Sequence, residues 1–100
     1  MKSDVFSYAV KDNWLIQNYC KKQMNTIQNH DDEYGTNLME TLLCYILCHG
    51  DAKQCGNQLY QHPNTIRYRI GKIKDLLNLN DLEEKAAYEY LYILVHLHKL

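Results

Sequence analysis

The apolar residues of this chain recur at intervals of three and four positions, which is the spacing of one face of an α-helix. No stretch alternates cleanly between apolar and polar residues as a half-buried strand does, and proline occurs once among 100 residues. The first segment, 13–27, carries apolar residues on this spacing: Trp14, Ile16, Tyr19, Cys20, Met24 and Ile27. The polar stretch 28–33 that follows indicates a connector. The pattern predicts an all-α fold, a small bundle of about five helices.

Helix-end signals divide the middle of the chain into two further helices. Asn37 is a candidate N-cap residue with Glu40 three positions later, an arrangement typical of a capping box. Gly50 is the residue expected just past the end of this second helix. Asp51 can then cap a third, short helix that ends near Tyr60.

The single proline, Pro63, suits the first turn of a fourth helix, where its missing N–H costs little. This helix has one continuous apolar stripe, formed by Ile66, Ile70, Ile73 and Leu77. Asn78 can adopt the left-handed conformation at its end. Asn80 with Glu83 then predicts the start of a fifth helix, 81–98.

The fifth helix is apolar on more than one side, through Tyr88, Tyr90, Leu91, Tyr92, Ile93 and Val95. A helix of this kind usually packs against two bodies. One face is expected to complete the core. The other is expected either to meet a second subunit in a homodimer or to be covered by the N-terminal helix with its Trp14.

The third and fourth helices are short, separated by a tight turn, and the second of them is basic, which is typical of a helix-turn-helix. Such a motif needs a small residue where the two helices cross, and Gly56 is placed there. Leu59 and Ile66 can close the angle between the helices from either side of the turn.

The charge of the chain is unevenly distributed, although its formal net value is only −1. Between Ala52 and Lys74 there are five basic residues and no acidic one, against six basic and twelve acidic residues elsewhere. A local positive face on an acidic body suits phosphate binding.

With the isoleucine stripe inward, the opposite face of the fourth helix carries Asn64, Arg67, Tyr68, Gly71 and Lys72. Arginine reads guanine and asparagine reads adenine in the major groove, and a helix N-terminus favours a phosphate. We therefore expect contacts to DNA bases from Asn64, Arg67 and Tyr68. Contacts to the DNA backbone are expected from Lys53, His62, Thr65, Arg69, Lys72 and Lys74.

Other site chemistries have weaker support in the sequence. Cys44 and Cys48 with the adjacent His49 suggest a metal site, but a closed site needs about four ligands, so the four cysteines are interpreted as free apolar thiols. The histidines show no nucleophile or carboxylate pattern, so no enzyme and no cofactor are expected. The chain shows neither a signal peptide nor a membrane-length apolar run, which predicts a cytoplasmic protein.

The segment from Leu38 to Leu94 resembles the C-terminal domain of PucR-type bacterial transcription regulators. The resemblance rests on Leu38-Met39-Glu40-Thr41-Leu42 with Tyr45, on the run His62-Pro63-Asn64-Thr65-Ile66-Arg67-Tyr68-Arg69-Ile70, and on Lys72-Ile73 with Leu76. It implies sequence-specific binding of double-stranded DNA by residues 37–100. Residues 1–36 would then be a helix and connector from an upstream sensory region. Family members usually carry arginine where this chain has Pro63.

Two alternatives remain open from the sequence. A Fis-like DNA-binding domain shares a similar helix-turn-helix string. A helical protein–protein interaction module could instead present the basic helix to an acidic partner. Duplex binding that weakens steeply with salt would separate DNA binding from protein binding, because phosphate contacts release counterions.

Overall fold

Five α-helices make up the part of the chain that the computed structural model describes, residues 13–98. The helices are α1 (Trp14–Tyr34), α2 (Leu38–Leu47), α3 (Ala52–Leu59), α4 (Pro63–Leu76) and α5 (Glu84–His98). No strand occurs in the described range. The predicted all-α fold of about five helices is therefore confirmed. None of these helices is both long and apolar enough to cross a membrane.

The hydrophobic core is built from buried residues of all five helices, with α4 contributing one continuous stripe. The stripe predicted on α4 is buried, with Ile66 and Ile73 fully enclosed and Ile70 and Leu77 nearly so. Completely or almost completely buried residues also come from α1, α2 and α5: Met24, Ile27, Leu42, Leu91 and Val95. Each such side chain contributes about 1.5–3 kcal/mol by leaving water. The core thus holds α4 by one face and leaves its other face to solvent.

The first helix is longer than the sequence pattern predicts. Residues 28–33, interpreted above as a connector, are helical, and α1 ends only at Gly35, whose φ of 65° stops it. Side-chain pairs on the solvent face support this last part, since Gln28 donates to Asp32 at 3.0 Å and His30 packs on Tyr34. A polar stretch can therefore be the solvated end of a helix whose earlier turns are buried.

The N-terminus of α2 is capped by a residue other than the one predicted. The side chain of Asn37 makes no capping hydrogen bond. The carboxylate of Asp31 instead accepts from the backbone N–H groups of Leu38 at 2.8 Å and Met39 at 2.9 Å, and from the Thr36 hydroxyl. Burial alone would raise the pKa of Asp31, but these hydrogen bonds outweigh burial and lower it. The predicted capping box at Asn37 is therefore wrong, because the Asp31 carboxylate on α1 already accepts from the first N–H groups of α2.

The end of α2 and the start of α3 lie where the sequence predicts them. Gly50 adopts a φ of 81°, and its N–H donates to the Tyr45 carbonyl at 2.9 Å. The Asp51 carboxylate then accepts from the Gln54 N–H at 3.1 Å and caps α3. Both predictions are confirmed, since each needs only a local conformation.

The fifth helix begins at Glu84 rather than at Asp81. Asn78 has the predicted left-handed conformation, with a φ of 59°. The Asn80 side chain, however, donates to Asp75 at 2.6 Å. The predicted start is wrong because the candidate capping amide is used to close the turn after α4.

The first helix runs antiparallel to α5 and covers one of its apolar faces. Gln23 donates to the Tyr90 hydroxyl at 2.6 Å, and the Cys20 thiol lies 3.5 Å from the Leu94 carbonyl oxygen. Burial, followed by the hydrogen bond between the Tyr90 and Tyr19 hydroxyl groups, raises the pKa of Tyr90 to about 12. Trp14 is not part of this cover, because it is 69% exposed. Ile93 on α5 also stays half exposed.

All four cysteines are free thiols and lie buried in the described part of the chain. The sulfur atoms of Cys44 and Cys48 are 4.0 Å apart. Burial raises the pKa of Cys48, and it raises that of Cys55 to about 12 together with its hydrogen bond to Cys44. His49 is exposed in the turn after α2, with a φ of 55°. The four buried thiols therefore act as small apolar packing groups.

Candidate nucleic-acid interface

The turn between α3 and α4 depends on a close approach at Gly56. Its carbonyl accepts from the Gln61 N–H at 2.8 Å, and Tyr60 adopts a left-handed φ of 57° to make this possible. A Cβ atom on Gly56 would overlap the Gln61 carbonyl oxygen and lie 3.5 Å from the Pro63 nitrogen. The turn therefore tolerates no side chain at this position, as the sequence analysis predicted.

The N-terminus of α4 is fixed by His62 and Pro63. Pro63 occupies the first helical turn, and the Nδ1 atom of His62 accepts from the Asn64 N–H at 3.0 Å. Since Nδ1 accepts, the ring proton of a neutral His62 lies on Nε2. The exposed His62 thus presents one N–H donor at the start of α4, while the backbone N–H groups of Asn64, Thr65 and Ile66 are already bonded to His62.

The outward face of α4 carries the three residues predicted to contact bases. Asn64, Arg67 and Tyr68 are all exposed, Tyr68 at 72%. The guanidinium group of Arg67 donates to the Asn64 side-chain oxygen at 2.8 Å. This bond orients both planar groups along the same face, opposite the buried isoleucines.

The residues predicted to contact the DNA backbone divide into two groups. Lys53 and His62 are exposed at the beginnings of α3 and α4, while Lys72 and Lys74 lie half-buried farther along α4. Thr65 and Arg69 are also half-buried. The structure thus spreads the positive charges over both sides of the exposed α4 face rather than over one patch.

Arg69 makes an internal contact that the sequence analysis did not predict. Its guanidinium group donates to the Thr41 hydroxyl at 3.3 Å. Thr41 is completely buried on α2, and its hydroxyl donates in turn to the Asn37 carbonyl at 2.7 Å. Thr41 lies on the same helix face as Leu38 and Leu42, so the apolar stripe of α2 was the signal that could have identified it. This chain of bonds sets the orientation of α4 on α2.

A cleft of about 680 Å³ separates the second half of α1 from α4. The lining residues from α4 are Tyr68, Lys72 and Leu76, and those from α1 are Thr26, Asn29, His30, Glu33 and Tyr34. We call this space the α1–α4 cleft. The sequence pattern did not predict this cleft, because residues 28–33 on its α1 side were interpreted as a connector.

Two short helices that cross at a glycine, with the second helix buried by one face and polar on the other, define a helix-turn-helix domain. The sequence profile described as the PucR C-terminal helix-turn-helix domain matches residues 38–96. The chain belongs to this family. Its class is therefore that of a DNA-binding domain of transcription regulators.

The curated relatives of this chain are much longer proteins. An uncharacterized protein of Mycobacterium tuberculosis (strain H37Rv) is 39% identical over 54 residues, which are 54% of this chain and 13% of that protein. The proline-responsive transcriptional activator PutR of Bacillus subtilis (strain 168) is 32% identical over 75 residues, 75% of this chain and 18% of PutR. The chain thus spans less than a fifth of the length of either relative. No solved structure matches the chain.

Proposed function

We propose that this chain binds double-stranded DNA in a sequence-specific manner, as the C-terminal domain of a bacterial transcription regulator, with α4 in the major groove. The observation that carries the proposal is the exposed α4 face with Asn64, Arg67 and Tyr68, held outward by the buried isoleucine stripe. An α-helix fits the major groove, where each base pair presents its own donor and acceptor pattern.

Base contacts are assigned to Asn64, Arg67 and Tyr68. The Arg67 guanidinium group can donate two parallel hydrogen bonds to guanine, and the Asn64 amide can pair with adenine. Their mutual bond of 2.8 Å keeps both groups on the groove-facing side before DNA arrives. Pre-orientation of this kind reduces the entropy lost on binding.

Phosphate contacts are assigned to Lys53, His62, Thr65, Arg69, Lys72 and Lys74. The Nε2–H of His62 offers a donor to a phosphate at the start of α4, where the helix dipole also favours an anion. Arg69 uses one guanidinium nitrogen for Thr41, so its phosphate contact would use another N–H of the same group. Removing Arg69 is therefore expected to affect both folding and binding.

The chain is proposed to act as part of a larger, dimeric protein in the cytoplasm. The relatives extend far beyond the matched residues, which leaves room for an upstream sensory region that continues into residues 1–36. Exposed apolar residues lie near the beginning of α1 and in the second half of α5: Trp14, Leu15, Tyr19, Tyr92 and Ile93. We assign this surface to a second copy, since helix-turn-helix proteins commonly pair to read two half-sites.

The test is fluorescence-anisotropy titration with duplex sites selected from a randomised library, across a salt series. Arg67→Ala is expected to weaken selected-site binding by about 1–3 kcal/mol and to relax the preference at one base pair. Lys72→Ala is expected to reduce the slope of log K against log salt by about 0.9 for every sequence. Lys85→Ala, a change of an exposed lysine on α5, is the matched control and is expected to alter neither quantity.

Arg69→Ala separates the structural role of α4 from its binding role. We expect this variant to lose stability in urea denaturation as well as affinity, because the buried Thr41 hydroxyl loses the donor from Arg69 and keeps only its bond to the Asn37 carbonyl. Wild-type protein that binds no duplex at low salt would contradict the proposed function and favour an acidic protein partner for α4.

A further inference from the structure

A helix that enters the major groove must meet phosphates on both of its sides. The groove is about 12 Å wide, and a helix with its side chains is about 10–12 Å across. The two phosphate strands therefore pass along the two flanks of the inserted helix. A protein element that lies beside α4 will therefore contact one of these two phosphate strands.

The α3 side of α4 carries two of the residues already assigned to the DNA backbone. Lys53 at the start of α3 and His62 at the start of α4 lie on the side of the helix-turn-helix itself. The other flank is occupied by the second half of α1, across the α1–α4 cleft. This part of α1 precedes residues 38–96, the segment matched to the family.

The α1–α4 cleft has the polarity expected for a phosphate strand along most of its wall. Hydroxyl, amide and ammonium donors come from Asn29, Tyr34, Tyr68 and Lys72, whereas the Thr26 hydroxyl already donates to the Lys22 carbonyl at 3.0 Å. The two tyrosines are well exposed, Tyr34 at 64% and Tyr68 at 72%. These are the donor types that proteins use to hold phosphates without reading sequence.

Two further polar residues, His30 and Glu33, line the cleft. The Nδ1–H of His30 donates to the Thr36 hydroxyl at 3.0 Å, because the hydroxyl proton of Thr36 is given to Asp31. Glu33 is the one carboxylate among the residues that line the cleft. A negative charge beside a phosphate weakens binding, so Glu33 should lower the affinity of this surface for DNA.

We propose that the α1–α4 cleft holds one phosphate strand of the duplex, so that α1 forms a second backbone-binding element outside the helix-turn-helix. Asn29 donates to a phosphate oxygen, and Glu33 limits the affinity by repulsion. This proposal rests on the proposed insertion of α4 into the major groove. It adds α1 to the DNA-binding surface and makes its contribution independent of base sequence.

The experiment is a titration of the 100-residue chain against a labelled random duplex at low salt, read by fluorescence anisotropy. Asn29→Ala is expected to weaken binding about fivefold, the value of one hydrogen bond. Glu33→Gln is expected to strengthen binding about threefold through the loss of repulsion. Changes in opposite directions cannot both arise from a loss of stability.

Two matched controls accompany these variants. Asn25→Ala removes an exposed asparagine one turn earlier on α1, and Glu89→Gln removes an exposed carboxylate on α5. Neither residue lines the α1–α4 cleft. Both controls are expected to bind as the wild type does.

The outcomes separate this proposal from the proposed function. If wild type binds and Arg67→Ala weakens binding to selected sites, but Asn29→Ala and Glu33→Gln bind random duplex as their controls do, α1 does not touch DNA and the inference is overturned. If Asn25→Ala weakens binding as much as Asn29→Ala, the cleft assignment is overturned as well. If wild type binds no duplex, the proposed function fails and this inference fails with it.

Discussion

Gly56 and Gly71 lie in the two helices of the same motif and meet opposite surroundings. A Cβ atom on Gly56 would overlap the Gln61 carbonyl, whereas a Cβ atom on Gly71 would meet nothing within 4 Å. In a helix interior, glycine is less favourable than alanine by about 1 kcal/mol unless space requires it. Only Gly56 has such a requirement within the fold.

We predict that Gly56→Ala destabilises the protein by about 1–3 kcal/mol, because the turn must open to admit the methyl group. Gly71→Ala is its control and should stabilise the protein by about 1 kcal/mol through helix propensity. Urea denaturation followed by circular dichroism measures both. A Gly56→Ala variant as stable as wild type would mean that the α3–α4 turn is looser than the structure shows.

At the scale of elements, the link between α1 and α2 depends on one carboxylate. Asp31 lies in the last turn of α1 and caps the first turn of α2 through Leu38 and Met39. Anions favour a helix N-terminus because the free N–H groups there are positive. The angle between α1 and α2 is therefore set by an ionised side chain. Because α1 forms one wall of the α1–α4 cleft, the same side chain also helps to position that wall.

Stability should fall in acid as Asp31 becomes protonated. Its pKa is lowered in the folded state from an ordinary 3.8, so its contribution is complete above that value and is lost as the pH falls through the folded pKa. Asp31→Asn should lower the free energy of unfolding by about 1–2 kcal/mol at neutral pH. Below about pH 4 this variant should lose less stability than wild type does.

Denaturant titrations at neutral and acidic pH test this prediction. Asp32→Asn changes the neighbouring exposed carboxylate and should behave like wild type, apart from the weak bond from Gln28. Equal stability of Asp31→Asn and wild type at neutral pH would show that the cap contributes nothing.

At the scale of the whole molecule, part of the exposed apolar surface lies where α1 begins and α5 ends. Since α1 and α5 are antiparallel, Trp14 and Tyr19 near the beginning of α1 lie at the same end as Ile93 near the end of α5. All three are at least half exposed. Grouped apolar side chains of this kind mark an association surface more often than scattered ones do.

We predict that wild type sediments as a dimer and that Ile93→Glu sediments as a monomer with unchanged helicity. Ile93 is 50% exposed, so its replacement disturbs the interface rather than the core. Leu82→Glu, a change of an exposed leucine between α4 and α5, is the control and should stay dimeric. Wild type that remains a monomer at the highest soluble concentration would contradict the proposal.

The sequence by itself determined the features that depend on local conformation and on periodicity. The all-α class, the isoleucine stripe of α4, the cap at Asp51, the first-turn proline Pro63 and the crossing glycine are read from spacing, backbone preference and side-chain size. The exposed face of α4 follows directly, because burying one face of a helix leaves the opposite one in water.

The tertiary structure decided the features for which distant residues compete. Asp31 replaced Asn37 as the cap of α2, Asn80 bonded to Asp75 instead of capping α5, and Arg69 reached Thr41 across 28 positions. A polar side chain takes whichever partner the packing brings within hydrogen-bond distance, and no spacing rule records that choice. The α1–α4 cleft has the same origin, because only the packing of the core brings the end of α1 beside α4.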